Sequence, residues 1–338
     1  MRVTLQQIAE RAGVSVSTVS RVMNRRPNVN AKTVDKVLQA LQELGLSDSG
    51  DGKNGGRRSG IVGFLVPQAT EYQGLQTPIM LAEIGGAKGV LEAQGYGLLV
   101  GTYAAGGNGT VVDEMIQRGE LAGVLVARTR VGEDDLRPFL EHQLPFVLIN
   151  TLLDSPGMCC VGVDNVQVGY LATRHLLELG HKRIGFIGGP SHFYSVNDRL
   201  AGYRRALEEA GLAFSPSLVA VSDLTESSGR AKARELLERE EQPTAIMAIN
   251  DYLAIGALEA AANMGLSVPD DVAIVGCDDI ELTRYVRPTL TTVRIPWRDL
   301  AATAASLIVQ AIQARNLVRA CIELDVELVV RESTQVQG

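Results

Sequence analysis

Asp278 and Asp279 stand side by side in the run GCDD, and adjacent carboxylates are the raw material of general acid–base or metal chemistry. Nothing near them in the sequence supplies a nucleophile or further metal ligands. The chain has no GxGxxG after its first strand-like run, no phosphate-binding loop, no GxSxG and no HExxH. GFIGGP (185–190) has the glycines of a nucleotide turn at the wrong spacing, and Pro190 closes it. Of the four histidines, His142 falls in a surface helix, while His175 and His181 flank a helix end where a structural or capping role is expected. His192 falls in a loop and is a candidate ligand contact. The four cysteines (Cys159, Cys160, Cys277, Cys321) show neither CxxC spacing nor a histidine at metal spacing. All four are expected to be packed or free thiols in a reducing compartment. The reading is therefore a non-enzyme, with no metal and no cofactor.

The chemistry these residues do support is recognition of a polyanion. Residues 1–60 carry ten basic side chains against five acidic ones, within a chain of net charge −7. A basic head on an acidic body suggests that only the head meets DNA. Leu5, Ile8, Ala9 and Ala12 recur at helical spacing behind Thr4, a plausible N-cap, and Gly13 stops the helix. Ser15 caps a second helix carrying Val19, Val22 and Met23. After an Asn/Pro-rich turn, Val34, Val37, Leu38, Leu41 and Leu44 mark a third, ended by Gly45. Helix, tight turn, helix is the pattern whose second helix enters the major groove. On that helix Val16, Ser17, Thr18, Ser20 and Arg21 face away from the apolar side, and Arg21 has the fork that pairs with guanine. Ser15, Ser20, Asn24, Asn28, Asn30 and Thr33 suit phosphate oxygens, and Thr4 and Leu5 complete the DNA-facing set.

The run VTLQQIAERAGVSVSTVSRVMN, followed by VNAKTVDKVLQALQELG, closely resembles the head of the LacI/GalR family of repressors. The resemblance implies that Val16, Ser17 and Arg21 read bases. It also resumes beyond residue 140, in PFVLIN, VDNVQVGYLATRHLLELGHKRIGFIGGP, DRLAGYRRAL, PTAIMAINDYLAIGAL, VPDDVAIVGCDD and RPTLTTVRIPW. It breaks at residues 47–60. SDSGDGKNGGRRSG reads as a flexible linker without the Pro, Ala and Leu of the family's hinge helix. Such a leucine wedges between base steps, and here Lys53, Arg57 and Arg58 are expected to act instead as a loose tether to phosphates.

The elements that must position these groups follow from hydrophobic patterning. From Ile61 onward, short apolar runs (61–66, GLLVG, GVLVA, PFVLIN) alternate with amphipathic helices, and a second set follows (182–189, 244–250, 271–276, 290–294). Apolar runs separated by helices imply parallel βαβ units with both sheet faces covered. The expected fold class is α/β: a three-helix helix-turn-helix domain (1–46), the linker (47–60), and a two-lobed core (61–338), which the resemblance implies is of the periplasmic-binding-protein type I kind. Ligands in such sheets bind at the C-terminal strand ends. Tyr72, Asn150, Arg128 and Arg130, each following an apolar run, are candidates on that ground.

By resemblance, Arg199 is the principal effector-binding arginine, with Asn250, Asp251 and Asp278 as hydrogen-bonding partners. Trp297 falls where an aromatic ring can line the pocket. A guanidinium fork and a carboxylate each bind a pair of vicinal hydroxyls, which suits a sugar or glycoside. The alternative for Arg199 and Asp278 is an ion pair between the lobes with no ligand. The expected protein is a homodimeric, allosteric repressor of carbohydrate-utilisation genes that leaves a pseudo-palindromic operator when sugar binds. The alternatives are a purine- or phosphosugar-responsive regulator using its ligand as co-repressor, and a binding protein whose head reads DNA poorly. No stretch of about 18 apolar residues is present, and no signal peptide pattern opens the chain, so a cytoplasmic location is expected.

Overall fold

The computed structural model describes residues 5–15, 18, 30, 33, 36–37, 39–40, 60–67, 78–103, 110–127, 133–150, 159–191, 193–314 and 321–335. The chain divides into two compact units, residues 1–57 and 58–338.

In the first unit, α1 (Leu5–Ala12) ends at Gly13, whose φ of +64° is strained for any residue with a Cβ. Thr18 is helical, and its N–H donates to Ser15 Oγ at 3.1 Å, the N-cap expected of Ser15. Thr33, Lys36, Val37, Gln39 and Ala40 are helical where the third helix was predicted. Ala9, Ala12, Val37 and Ala40 are buried, so these positions of the first and third helices face inward.

The second unit is built on two six-stranded sheets. The first runs β11-β5-β4-β3-β1-β2 and the second β12-β10-β9-β8-β6-β7. In the first, β1 (Ile61–Pro67), β2 (Gly97–Tyr103), β3 (Gly123–Ala127), β4 (Phe146–Ile149), β5 (Cys160–Gly162) and β11 (Cys321–Glu323) are all parallel. In the second, β6 (Ile184–Gly188), β7 (Val219–Val221), β8 (Ala245–Ala248), β9 (Ala273–Asp278) and β10 (Thr291–Arg294) are parallel, and β12 (Glu327–Val329) is antiparallel to β10.

The inner strands of the first sheet, β1, β3, β4 and β5, are buried on both faces, which is why they read as unbroken apolar runs. Val62, Phe64, Leu125 and Val147 enter the main core, beside α2 (Pro78–Ala93) and α9 (Trp297–Ala314). Leu65, Val124, Val126 and Phe146 enter a second core with α3 (Val111–Gln117) and α4 (Glu133–Glu141). Helix starts are locally encoded: Thr110 and Asp113 form a capping box on α3. Asp164 accepts from Val166 N and Gln167 N to open α5 (Asn165–Glu178). The second sheet is flanked by α5, α6 (Tyr194–Glu209), α7 (Glu226–Leu237) and α8 (Asp251–Asn263).

The chain passes between the sheets three times. It leaves the first after β5 through α5, returns after β10 through α9, and leaves again after β11 through residues 324–326 to β12.

One expectation is overturned here. Cys160 and Cys321 form a disulfide; only Cys159 and Cys277, both buried, are unbridged. The reason is topological: β5 and β11 pair in register with Cys160 opposite Cys321, so residues 161 apart in sequence have Cα atoms 4.7 Å apart. Local spacing carries no trace of such a pairing. His175 Nε2 lies 2.9 Å from Thr334 Oγ1 and His181 Nδ1 lies 3.0 Å from Thr244 Oγ1, structural roles as expected, and burial lowers the pKa of both rings. His142 is exposed one residue beyond α4 rather than within a helix.

Candidate functional site

Four of the effector candidates gather at one end of the second sheet. Arg199, in the second turn of α6, is buried with its side chain only 6% exposed, and Asp278, the last residue of β9, is 5% exposed. Their closest N···O approach is 3.9 Å, so the pair lies within one lobe and does not bridge the two. Arg199 Nε donates to Asn165 Oδ1 at 3.0 Å, and Nη1 donates to the carbonyl of Ile249. That second bond ties the guanidinium to the β8 exit, where Asn250 N-caps α8 by accepting from Leu253 N at 2.8 Å. Asn250 Nδ2 has one long contact, 3.4 Å to Leu224 O.

Asp251 departs from expectation. It has no exposed surface, and both carboxylate oxygens are taken: Thr292 Oγ1 donates at 2.6 Å and Ile280 N at 2.9 Å. Burial, then the neighbouring Asp278 charge, push its pKa well up. It anchors the β8, β9 and β10 ends and offers no face to a ligand, because helix α8 starts inward at this residue. Even Gly276 is required there, since a Cβ at 276 would stand 2.3 Å from Asp251 Oδ1.

Asp278 and Asp279 have φ of +121° and +55°, two successive non-glycine residues in positions that L side chains rarely adopt. Asp279 shows what holds them there. Its side chain is 3% exposed; Oδ2 accepts from Arg294 Nε at 2.7 Å and Oδ1 from Arg331 at 2.5 Å, with Arg284 at 3.9 Å. Burial would raise this carboxyl, but the hydrogen bonds and charges of Arg331 and Arg294 together hold it below the ordinary carboxylate range. Sequence reasoning treated Asp279 only as half of a pair and missed Asn165, Arg294 and Arg331 altogether. The signal available was the doubled aspartate itself, one turned to the site and one to the frame.

A depressed folded-state pKa means that this stabilisation is present above about pH 3.8 and is lost as pH falls further. Asp279→Asn tolerates the left-handed backbone but removes the charge. We expect it to cost about 1–3 kcal/mol at pH 7, the lower half reflecting the partial exposure of Arg294. Urea denaturation from pH 7 down to pH 3 should show the gap to wild type narrowing with acid. A gap independent of pH would mean that the ion pairs are not its source.

On the first sheet, Asn150 follows β4 with φ of +55°, and its buried Oδ1 has no hydrogen-bond partner among the described residues. Trp297, the first residue of α9, is half-buried against the main core, and its buried Nε1 is likewise without a partner among the described residues. Buried polar groups are ordinarily satisfied, so two orphaned ones at sites singled out for ligand contact are informative. Tyr72, Arg128, Arg130 and His192 lie outside the described residues. So do Thr4, Val16, Ser17, Ser20, Arg21, Asn24, Asn28 and the tether residues Lys53, Arg57 and Arg58. Of the remaining head candidates, Leu5 is the first residue of α1. Ser15 and Asn30 are exposed, Thr18 and Thr33 half-buried, and Asn30 O accepts from Thr33 N at 2.8 Å.

Residues 4–47 match the family model described as bacterial regulatory proteins, lacI family, and residues 173–334 match the periplasmic binding protein-like domain. The HTH-type transcriptional regulator GalR of Escherichia coli (strain K12) is 33% identical over 310 residues, 90% of this chain and 88% of that protein. The chain belongs to the LacI family. Two solved members share its fold over nearly their whole length. One is the transcriptional regulator CelR in complex with cellobiose (30% identity, 98% of this chain and 100% of that one, TM-score 0.73). The other is the lac repressor dimer bound to operator and the anti-inducer ONPF (26% identity, 99% and 100%, TM-score 0.72). The helix-turn-helix head and the two-lobed core are those of the LacI family, whose members here are transcriptional regulators rather than enzymes. Among the described residues no helix is long and apolar enough to cross a membrane.

Proposed function

We propose that this LacI-family regulator is a homodimeric, cytoplasmic repressor that binds a pseudo-palindromic operator through Val16, Ser17 and Arg21 and releases it when a sugar or glycoside occupies the space between its lobes. The observation that carries the effector half is the buried Arg199–Asp278 pair beside Asn250. A planar fork and a carboxylate, both largely out of water, offer directional bonds to neighbouring hydroxyls. Asn150 Oδ1 and Trp297 Nε1 add an acceptor and a donor awaiting partners, and the indole offers an apolar face to a pyranose. The name of GalR, the cellobiose held by CelR and the operator held by the lac repressor dimer support the same reading.

Trp297 is the sole tryptophan, so intrinsic fluorescence reports on this region directly. Titration with mono- and disaccharides, phosphosugars and purines should give a saturable change with one sugar class. Adding that compound should weaken binding to operator DNA. A response to purines or phosphosugars alone, with DNA affinity rising, would replace this reading by the co-repressor one. For the head, Arg21→Ala is expected to lower operator affinity by about ten- to a hundredfold. An unchanged affinity would favour a core whose head reads DNA poorly.

A further inference from the structure

The Cys160–Cys321 disulfide sits where two of the three passages between the lobes begin. Cys160 opens β5, which runs on through Val163 and Asp164 into α5. Cys321 opens β11, which runs on through 324–326 into β12 of the other sheet. The bridge therefore joins the feet of two hinge strands across 161 residues of sequence. β11 is the outer strand of its sheet, three residues long and paired only with β5 among the described residues. Besides the bridge it is held by that short ladder, by the bond from Leu324 N to Gly162 O at 2.9 Å, and by the packing of Ile322 and Leu324 against the main core. The two cysteines differ in access: Cys160 is fully buried and Cys321 is exposed. Cys159, one residue away, packs into the main core while Cys160 packs into the other, so it cannot serve as an alternative partner from the same face.

We propose that Cys160 and Cys321 are a reversible thiol–disulfide modification site that sets how freely the two lobes move about their hinge. A low-molecular-weight thiol, as its thiolate, attacks the sulfur of Cys321, the exposed residue of the pair, and breaks the S–S bond. A mixed disulfide forms at Cys321, and Cys160 leaves as a thiolate and takes up a proton. A second thiol attacks the outer sulfur of the mixed disulfide and frees Cys321. The balance is two electrons gained by the protein pair and one small-molecule disulfide formed from two thiols. The reverse exchange, with a small-molecule disulfide as oxidant, restores the bridge. Exposure of one of the two residues puts the exchange entry point at Cys321, and disulfides in thiol-rich compartments are characteristically transient and redox-sensing. Closed, the bond holds β11 and the start of α5 as one body. Open, β11 keeps its three-residue edge ladder, the Leu324–Gly162 bond and the packing of Ile322, but no covalent tie to β5. The inference does not depend on which effector, if any, the core binds.

The test uses full-length protein equilibrated across ratios of glutathione to glutathione disulfide, with thiols trapped by alkylation and located by mass spectrometry. Cys160 and Cys321 should convert together and reversibly while Cys159 and Cys277, both buried, stay unlabelled in the folded protein. Hydrogen exchange should then be roughly tenfold faster or more at 322–329 and at the start of α5 in the reduced form, with β1 and β3 unchanged. Cys321→Ser, an exposed and conservative change, should show the fast pattern whatever the glutathione ratio. Two results would overturn the proposal. A pair that glutathione neither opens in the folded protein nor closes again would be a permanent staple or a pair of thiols. Equal exchange in the two states would mean that the bond has no mechanical consequence at the hinge.

Discussion

Arg199→Met is expected to abolish the effector response, lowering effector affinity at least about a hundredfold, while DNA affinity measured without effector stays at the wild-type value. The magnitude follows from the bonds removed. A guanidinium fork on a polyol makes at least two charge-assisted hydrogen bonds, each worth about 1.5–3 kcal/mol in a site this dry. Methionine keeps the apolar stem and loses the fork. The same change removes the guanidinium 3.9 Å from Asp278, and breaking a buried ion pair from one side costs about 3–5 kcal/mol of stability. Lost folding could therefore masquerade as lost binding, and Arg199→Lys separates them. Lysine keeps the charge opposite Asp278 but is a point charge on a flexible stem. It should melt within a few degrees of wild type while effector affinity remains more than about tenfold down. Calorimetric titration beside thermal melting checks both arms. Native affinity in the lysine variant would remove Arg199 from the site, and with it the assignment of Asp278.

Much of the architecture was legible because its strands are buried on both faces. IVGFLV, GVLVA, FVLI and AIVG are unbroken apolar runs between amphipathic helices, and that pattern has few other solutions in a chain of this size. What escaped was short or non-local. β7, β11 and β12 are three residues each and half-exposed, with no run long enough to register. The disulfide depends on β11 lying next to β5, a fact about topology that no spacing within either segment encodes. At the proposed site, Arg199 and Asp278 were singled out by resemblance, yet the residues that hold them were not. Asn165 faces Arg199 from 34 positions away and Arg331 reaches Asp279 from 52 positions away. Asp251 was misplaced for a related reason: the sequence shows a carboxylate beside Asn250 but not that helix α8 begins by turning it into the fold. The head was the clearest of all in its residues.

Gly169→Ala is expected to be the most damaging single-methyl change in the core. A Cβ at 169 would stand 2.0 Å from the carbonyl oxygen of Arg199, and one at Gly202 would stand 2.0 Å from that of Val166. Helices α5 and α6 thus meet backbone to backbone through a reciprocal glycine pair, and α7 and α8 repeat the device with Gly229 and Gly256. The obstacle is main chain, which cannot swing aside as a side chain can, so α6 must translate. Overpacking of this kind costs about 1–3 kcal/mol and sometimes more, and the upper end is expected here because both helices lose their close contact. Gly89→Ala supplies the control: it lies on the exposed side of α2 with nothing within 4 Å of a new Cβ. It should stabilise by up to about 1 kcal/mol through helix propensity alone. Denaturant titration of both full-length variants tests the pair, and Gly169→Ala melting at the wild-type midpoint would mean that the helices do not approach this closely. A folded but weakened Gly169→Ala protein would carry a second consequence. The oxygen it displaces belongs to Arg199 itself, so the guanidinium moves with the helix. Effector affinity should then fall although the new methyl lies on the helix opposite and alters none of the proposed contact residues.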